Sequence, residues 1–462
     1  FGERSMKELT LKQIADWCGG TVAPEYETVP VTGVESDSRK VEVGDLFVAL
    51  RGERVDGHDF IPSAKTLGAS AALVSRPSEE LPCVVVESPL RAYGEIAKHY
   101  REMTGVKVVG ITGSVGKTTT KEMIASVLSR DFKLYKSEGN HNNEIGLPMT
   151  VMNMPEDTEL LVAELGTNHP GEIAYLSAIA QPDYAVITNI GIAHIEYLGS
   201  REGILREKLD ILRSSLKNTV GIFNGDEPLL WNVRDKGTHK KYYFGIDNPS
   251  CDVVASGIQE LDDGMRFHVS GFHHEFELFV PALGRHMVYN ALAAATVGLA
   301  MGVKPETIQN ELSIFRNTGM RQKIYEKNGM TIIEDCYNAG PESTEAALGV
   351  LASVKTSGKR IAVLGDMLEL GNRSSAEHYR IGRIAAQKAD LLLTYGAHSV
   401  RTVTGAITGG MSPKNAEHFD THEDLVRMLK MRAGEADVIL FKGSRGMKME
   451  RVLQMFLDDH EA

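Results

Sequence analysis

The sequence lacks several features that mark whole classes of protein. Its four cysteines lie far apart and form no Cys-x-x-Cys pair, so they suggest neither a disulfide framework nor a zinc site. No run of about 18 apolar residues is present, and therefore no membrane-spanning helix is predicted. The first residues lack the basic-then-apolar pattern of a signal peptide, so we expect a cytoplasmic protein. Phe1–Ser5 precede Met6 and are interpreted as a remnant of expression.

Acidic residues outnumber basic ones, with 62 Asp and Glu against 50 Lys and Arg. The formal net charge of −12 argues against a nucleic-acid-binding protein that relies on a broad basic surface. The hydrophobic fraction of 42% and the charged fraction of 24% are typical of an ordinary soluble protein. With 462 residues the chain is too long for a single hydrophobic core, and about three domains are expected. We expect a monomer.

The order of strands and helices predicts an α/β fold with three domains. The first is a small α/β domain over residues 1–105. Its predicted helices are Leu9–Gly19 and Pro89–Met103, and its predicted strands are Asp45–Leu50 and Ala71–Ser75.

The second domain, residues 106–318, repeats a strand–loop–helix pattern that is typical of a doubly wound sheet. Its predicted strands are Val106–Thr112, Leu160–Leu165, Tyr184–Ile190 and Val220–Asn224, and its predicted helices are Gly171–Ala180, Ser200–Ser214 and about 286–315. Residues 242–280 alternate with period two, which predicts a small inserted antiparallel patch.

The third domain, residues 319–462, is predicted to be a smaller Rossmann-like sheet. Its predicted strands are Met330–Cys336, Arg360–Leu364, Leu391–Tyr395 and Val438–Lys442.

A phosphate-binding loop is the strongest motif in the sequence. A hydrophobic strand ends at Thr112, and Gly113-Ser114-Val115-Gly116-Lys117-Thr118-Thr119 then leads into a helix. Glycines let backbone N–H groups close around phosphate oxygens, and the helix N-terminus adds its positive dipole end. Lys117 is expected to reach the β- and γ-phosphates, and the Thr118 hydroxyl is expected to bind Mg²⁺. The strict pattern has glycine where Ile111 stands, so this loop is a shortened variant that begins at Gly113.

The loop GxxGKT after a strand resembles that of the Mur ligase and folylpolyglutamate synthase superfamily. The resemblance implies an ATP-dependent ligase that joins an amine to an acyl phosphate. It also implies that the first domain binds a UDP-sugar substrate and that the second binds ATP. The third domain would close on the ATP and bind the incoming amine substrate.

Three residues of the central domain are candidates for two magnesium sites. Glu164 ends the strand next to the loop, where a carboxylate is placed to hold Mg²⁺ beside the phosphates. The resemblance implies that Glu164 is a magnesium ligand and that His194, in an N-x-x-x-x-H motif, lies near a second magnesium. Lys208 lies beside an apolar helix stripe, where burial would lower its pKa. Several family members carbamylate the lysine at this place, although a lysine that reaches solvent is the alternative.

Five further residues match nucleotide-binding motifs of the family. Asn290 matches the asparagine near the adenine and ribose. Arg321 matches an arginine that contacts the γ-phosphate, and with Lys117, His194 and Lys208 it completes the predicted catalytic set. The stretch Asp335–Pro341 resembles the motif D-x-Y-N-A-x-P, which implies that Asp335 holds the ribose and that Tyr337 and Asn338 also contact the nucleotide.

Motifs outside the ATP site select one branch of the family. Ser36-Asp37-Ser38-Arg39 resembles a UDP-sugar-binding loop, which implies that these four residues bind substrate. Asn140–Pro148 resembles the motif N-x-N-N-x-I-G-x-P, which adds Asn140, Asn142 and Asn143 to the predicted substrate-binding residues. Together with Gly365–Gly371, which resembles G-D-M-x-E-L-G, it indicates the branch that joins D-alanyl-D-alanine to UDP-N-acetylmuramoyl-tripeptide.

Other functions remain as alternatives. The chain could be a related ligase that adds the third peptide residue, or a folylpolyglutamate synthase, which would lack the Ser-Asp-Ser-Arg loop. A P-loop ATPase that acts as a conformational switch belongs to another class and would hydrolyse ATP without a peptide substrate. The third residue of the tripeptide, diaminopimelate or lysine, stays open.

Overall fold

The structure is a computed structural model that describes residues 6–52, 54–213, 218–317 and 319–458. The interpretation of Phe1–Ser5, the predicted helix end at Ser214 and the predicted domain boundary at Thr318 lie outside the described residues.

The N-terminal part contains a four-stranded parallel sheet and a separate two-stranded antiparallel pair. Its strands are β1 (Leu9–Thr10), β2 (Pro30–Val31), β3 (Gly33–Glu35), β4 (Asp45–Val48), β5 (Ala71–Val74) and β6 (Cys83–Val85), and its helices are α1 (Leu11–Cys18), α2 (Ile61–Leu67) and α3 (Pro89–Thr104). The sheet has the order β3-β4-β5-β6 and the antiparallel pair is β1-β2. The predicted helix at Leu9–Gly19 begins two residues later because Thr10 caps it and accepts a hydrogen bond from the amide of Gln13.

The central part is built on a nine-stranded sheet. Its strands are β7 (Lys107–Thr112), β8 (Leu134–Lys136), β9 (Leu160–Glu164), β10 (Tyr184–Ile187), β11 (Val220–Asn224), β12 (Lys241–Gly245), β13 (Val253–Leu261), β14 (Gly264–Gly271) and β15 (His274–Val280). Its helices are α4 (Lys117–Leu128), α5 (Gly146–Met152), α6 (Glu172–Ala180), α7 (Ile195–Leu198), α8 (Arg201–Arg213), α9 (Pro228–Trp231), α10 (Arg285–Ala300) and α11 (Pro305–Ser313). The strand order is β15-β14-β13-β12-β11-β10-β7-β9-β8.

The antiparallel patch predicted over residues 242–280 is wrong for its first strand. Strand β12 pairs in parallel with both β11 and β13, and only β13, β14 and β15 pair antiparallel. The patch is also not a separate insertion, because it forms one edge of the central sheet. Period-two alternation indicates which side chains face the core but not the direction of the neighbouring strand.

The C-terminal part is a six-stranded sheet with the order β16-β17-β21-β18-β19-β20. Its strands are β16 (Lys323–Lys327), β17 (Met330–Asp335), β18 (Arg360–Gly365), β19 (Leu391–Tyr395), β20 (Ala416–Phe419) and β21 (Val438–Lys442). Its helices are α12 (Pro341–Ser353), α13 (Ser374–Lys388), α14 (Val400–Thr408), α15 (His422–Arg432) and α16 (Met449–Asp458). Strand β16 is antiparallel to β17, and the other pairs are parallel.

The two larger sheets direct their polar strand ends toward the same region. Strands β7, β9 and β10 are parallel neighbours, so the loops that follow Thr112, Glu164 and Ile187 leave one edge of the central sheet. Strands β17 and β21 of the C-terminal sheet are also parallel, and they end at Asp335 and Lys442. None of the helices in the described residues is long and apolar enough to cross a membrane.

Candidate active site

The phosphate-binding loop connects strand β7 to helix α4. Two of its residues have left-handed backbone angles, with φ of +153° at Gly113 and +81° at Gly116. A Cβ atom at Gly113 would lie 1.8 Å from the Thr188 hydroxyl, so the close approach of β10 requires glycine there. The Lys117 ammonium donates a hydrogen bond to the Gly113 carbonyl at 3.0 Å. The loop therefore has the strand–turn–helix geometry that the sequence predicts.

A candidate magnesium site lies beside this loop. Strand β9 pairs with β7 so that Glu164 is the partner of Ile111, and the Glu164 side chain is 2% exposed. The Thr118 hydroxyl donates to Glu164 Oε2 at 2.7 Å, and the Asn142 amide donates to Oε1 at 2.9 Å. A carboxylate and a hydroxyl are the hard oxygen donors that Mg²⁺ prefers when phosphate oxygens and water supply its other ligands. These residues fit one magnesium ion.

The second predicted magnesium site is less complete. The His194 ring is hydrogen bonded to the carboxylate of Glu369, which lies in the loop after β18 of the C-terminal part. Lys208 lies buried in α8. Among the described residues, no group of three or more His, Cys, Asp or Glu side chains could hold a metal ion. The role of His194 and Lys208 at a second magnesium therefore stays a prediction.

Three basic side chains lie near the loop, and the charge of one lowers the pKa of the next: Arg321 acts on Lys117, and Lys117 acts on Lys208. Burial lowers the pKa of Lys117, with a further lowering from Arg321, whereas Glu164 acts in the opposite direction. Burial and the charge of Lys117 also hold the pKa of Lys208 well below its usual value, and Glu207 opposes this effect. The lowered pKa favours the neutral amine of Lys208, and this is the form that would react with carbon dioxide to give a carbamate.

Sequence reasoning missed Glu207, which holds the loop after β9. Its carboxylate accepts hydrogen bonds from the Gly171 amide at 2.7 Å, the Ile173 amide at 2.8 Å and the Thr167 hydroxyl at 3.3 Å. No motif marks Glu207, because its partners lie between 34 and 40 residues away.

Helix α10 approaches the loop from one side. Asn290 accepts a hydrogen bond from the Thr120 hydroxyl at 3.2 Å, and a Cβ atom at Gly116 would lie 2.8 Å from its side-chain oxygen. The preceding residue, Tyr289, donates a hydrogen bond to Asp226 at 2.8 Å, and burial together with this carboxylate raises the pKa of Tyr289. Asp226 also accepts from the amides of residues 246–248, so it ties α10 to the loop after β12.

The C-terminal sheet supplies the opposite wall of the site. The Arg321 guanidinium lies 4.1 Å above the centre of the Tyr337 ring. The Lys442 ammonium donates to Asp335 at 2.6 Å and to the Asn338 carbonyl at 3.0 Å. Lys442 is a functional candidate that sequence reasoning did not single out, although it ends a predicted strand.

The predicted substrate-binding residues fall into two groups. Asn140, Asn142 and Asn143 line the central cavity, and Asn143 also accepts a hydrogen bond from the Gly146 amide at the start of α5 at 2.9 Å. The loop Ser36–Arg39 does not line that cavity. Within it, Arg39 donates two hydrogen bonds of 2.8 Å to Asp37, and this ion pair lowers the pKa of Asp37 to about 2.

The central cavity has a volume of about 1020 Å³ and connects the phosphate loop with Asn140, Asn142, Asn143 and the C-terminal residues of the site. Helix α3, the central sheet and the C-terminal sheet all contribute to its wall. Predicted site residues that line it are Ser114, Val115, Gly116, Lys117, Thr119, Glu164, His194, Asn290, Arg321, Asp335, Tyr337 and Asn338. The cavity is large enough for a nucleotide and parts of a second substrate. It can therefore bring a phosphoryl group, a metal-binding carboxylate and several cations together.

Comparison with known proteins gives three matching family models. The model described as "Mur ligase family, catalytic domain" matches residues 30–113. "Mur ligase middle domain" matches residues 111–298, and "Mur ligase, glutamate ligase domain" matches residues 320–445.

Similar proteins match almost the whole chain. The UDP-N-acetylmuramoyl-tripeptide–D-alanyl-D-alanine ligase of Bacillus subtilis (strain 168) is 41% identical over 98% of this chain and 99% of its own length. A crystal structure of MurF from Acinetobacter baumannii has a TM-score of 0.89 and 32% identity, covering 98% of this chain and 99% of its own. MurF ligase from Thermotoga maritima in complex with ADP has a TM-score of 0.82 and 31% identity, covering 93% of this chain and 98% of its own.

Proposed function

Because this chain belongs to the Mur ligase family, we propose that its cavity is the active site of an ATP-dependent, ADP-forming ligase. The ligase adds D-alanyl-D-alanine to UDP-N-acetylmuramoyl-tripeptide in the synthesis of peptidoglycan precursors. The observation that carries this function is the convergence of the phosphate loop, Glu164 and the C-terminal Arg321 on one cavity. The similarity to these ligases over 98% of the chain supports the choice of substrates.

The first step is phosphoryl transfer. The terminal carboxylate of the tripeptide attacks the γ-phosphorus of ATP, which forms an acyl phosphate and releases ADP. Lys117 and Arg321 would neutralise the charge on the transferring group, since both cations line the cavity beside the loop. Thr118 and Glu164 would hold Mg²⁺, which supplies further charge neutralisation when it is bound.

The second step forms the new peptide bond. The amine of D-alanyl-D-alanine attacks the acyl carbon, the bond between that carbon and the bridging phosphate oxygen breaks, and inorganic phosphate leaves as the nitrogen gives up one proton. The contact between His194 and Glu369 joins the central and C-terminal sheets across the cavity. Closure of the C-terminal part over the cavity during the reaction would exclude water, which would otherwise hydrolyse the acyl phosphate.

The remaining assignments are also proposals. We propose that Ser36–Arg39 bind the UDP part, because two donors and a carboxylate lie together at the surface there. Asp335, Tyr337, Asn338 and Asn290 would hold the nucleoside, because all four line the cavity. We further propose a cytoplasmic monomer, since one chain supplies every wall of the cavity described above and ATP is a cytoplasmic substrate.

Measuring phosphate release distinguishes this ligase from a P-loop ATPase that acts as a conformational switch. We expect ATP turnover only when UDP-N-acetylmuramoyl-tripeptide and D-alanyl-D-alanine are supplied together, with a new peptide bond for each phosphate released. A related ligase would instead accept a single amino acid in place of the dipeptide. Turnover that ignores the dipeptide would show that the protein is not this ligase.

A matched pair of variants tests the phosphate loop itself. Lys117→Ala should abolish turnover, because it removes the cation beside the transferring phosphoryl group. Lys107→Ala, at the exposed opposite end of β7, should leave turnover unchanged. Retained activity in Lys117→Ala would contradict the assignment of the loop.

A further inference from the structure

The side chain of Asn189 occupies the phosphate-binding loop. Its Oδ1 atom accepts hydrogen bonds from the Ser114 amide at 3.1 Å and the Val115 amide at 3.0 Å. Its Nδ2 atom donates to the Val115 carbonyl at 3.3 Å, and its backbone carbonyl accepts from the Ser114 amide at 3.3 Å. The carboxamide is therefore held by the loop on both of its polar atoms.

This oxygen lies where a phosphate oxygen would be expected. Backbone amides that precede a helix N-terminus in a glycine-rich turn form the anion-binding part of a phosphate loop. Ser114 and Val115 lie within that turn, and α4 begins at Lys117. An amide N–H makes one strong hydrogen bond, so it cannot serve Asn189 and a phosphate oxygen fully at once. The Lys117 ammonium is likewise engaged by a protein group, the Gly113 carbonyl.

The segment that carries Asn189 is also where the C-terminal sheet docks. The Gly191 amide donates to the Ser114 hydroxyl at 2.9 Å, which ties the segment to the phosphate loop again. The next amide, that of Ile192, donates to Glu342 in the first turn of α12 at 3.0 Å. Five residues after Asn189, His194 pairs with Glu369. The phosphate loop and the C-terminal part of the chain thus both contact the short segment 189–194.

We propose that Asn189 is an internal competitor for nucleotide phosphate and that bound phosphate displaces its carboxamide from the loop. The displacement moves the segment on which Glu342 and Glu369 dock, so nucleotide binding and docking of the C-terminal sheet are linked. This inference rests on the proposed function in one respect, namely that ATP binds at the phosphate loop.

Two substitutions of Asn189 test the competition, because one is expected to tighten ADP binding and the other to weaken it. Asn189→Ala removes the competing oxygen, so calorimetry should show ADP binding about three- to tenfold tighter than in the wild-type chain. Asn189→Asp places a carboxylate on the same amides, which holds them more strongly and repels phosphate, so ADP binding should weaken. Thermal melting of both variants checks that each is folded. Weaker binding in Asn189→Ala, or tighter binding in Asn189→Asp, overturns the proposal.

A double-mutant cycle tests the link to the C-terminal sheet. Glu342→Ala removes the acceptor that holds Ile192, which should loosen the segment and also tighten ADP binding. In the Asn189→Ala background the same substitution should have little effect, because no competitor is left to release. Equal effects in both backgrounds, or no effect in either, overturn the link.

A separate control distinguishes failure of this inference from failure of the proposed function. Lys117→Ala should lose ADP binding if the loop is the nucleotide site. If the wild-type chain does not bind ADP, or if Lys117→Ala binds it equally well, the proposed function fails first. If that control behaves as expected and Asn189→Ala weakens binding, the inference alone is wrong.

Discussion

Replacing Lys208 with methionine is expected to stabilise the protein while it removes ligase activity. The Lys208 side chain is 2% exposed in α8, and the structure gives its amine no hydrogen-bond or ion-pair partner among the described residues. Burial and the nearby charge of Lys117 lower its pKa. A methionine fills nearly the same volume without a polar atom that must leave water. We expect the free energy of unfolding at neutral pH to rise, by about 1.4 kcal/mol for each unit by which burial lowers the pKa of Lys208.

The gain in stability should depend on pH in a defined direction. Above the usual lysine value of 10.5, Lys208 is neutral in the folded and the unfolded chain, and the lowered pKa costs nothing. As the pH falls below that value, the unfolded chain takes up a proton that the folded chain does not. Folding then loses about 1.4 kcal/mol for each pH unit until the folded pKa is reached. The advantage of Lys208→Met should therefore be larger near about pH 7.5 than near about pH 10.

The assay is urea unfolding in buffer depleted of carbon dioxide, with Lys121→Met as the matched control. Lys121 is equally buried, but its ammonium donates to the Ser137 carbonyl at 2.6 Å and lies 3.1 Å from Glu122. Its removal leaves the Ser137 carbonyl without this donor, and Glu122 keeps only Lys136 as a cationic partner, so Lys121→Met should destabilise the protein. A lower stability in Lys208→Met, or a gain that does not change with pH, would refute the reasoning about burial of Lys208.

Three further predictions address the site. Glu164→Gln should raise the Mg²⁺ concentration needed for half-maximal turnover by about tenfold or more, because a carboxylate ligand becomes a neutral amide; an unchanged Mg²⁺ titration would remove Glu164 from the metal site. Lys442→Met should lower the free energy of unfolding by about 1–3 kcal/mol, because it leaves the partly exposed Asp335 carboxylate without its 2.6 Å partner; denaturant unfolding measures this, and Lys442→Arg should retain most of the stability. Removal of bicarbonate should reduce turnover of the wild-type protein if Lys208 forms a carbamate; mass spectrometry that finds only the free amine, with turnover insensitive to bicarbonate, would contradict that modification.

Long apolar segments allowed the sequence to predict most of the parallel strands. Leu391–Tyr395 and Val438–Lys442 agree with the structure at both ends, because each is a buried run between turn or helix residues. The strands that were missed are short or lie at sheet edges, as β8, β16 and β20 do. Residues Lys323–Lys327 of β16 carry three charged side chains in five residues, so their pattern resembles a solvent-exposed loop more than a strand.

Local motifs also predicted the core of the site, whereas contacts between distant segments were out of reach. The phosphate loop and Glu164 follow strands whose ends can be read from the sequence, and the register Ile111–Glu164 brings them together. The pairing of Asp335 with Lys442 joins residues 107 positions apart, and that of His194 with Glu369 joins residues 175 positions apart. No local periodicity encodes such pairs, because the first depends on which strands become neighbours within the C-terminal sheet and the second on how the central and C-terminal parts of the chain pack.

The missing glycine at Ile111 has a structural reason that bears on the whole site. Ile111 is a fully buried residue of β7, paired with Val186 on one side and Glu164 on the other. The chain is still an extended strand there, so the turn begins only at Gly113 and α4 begins at Lys117. The residues between strand and helix are therefore only Gly113–Gly116. The end of β10 contacts those amides directly through Asn189, so that strand controls access to them. Nucleotide affinity in this chain should therefore respond to substitutions after β10 as well as to substitutions within the loop itself.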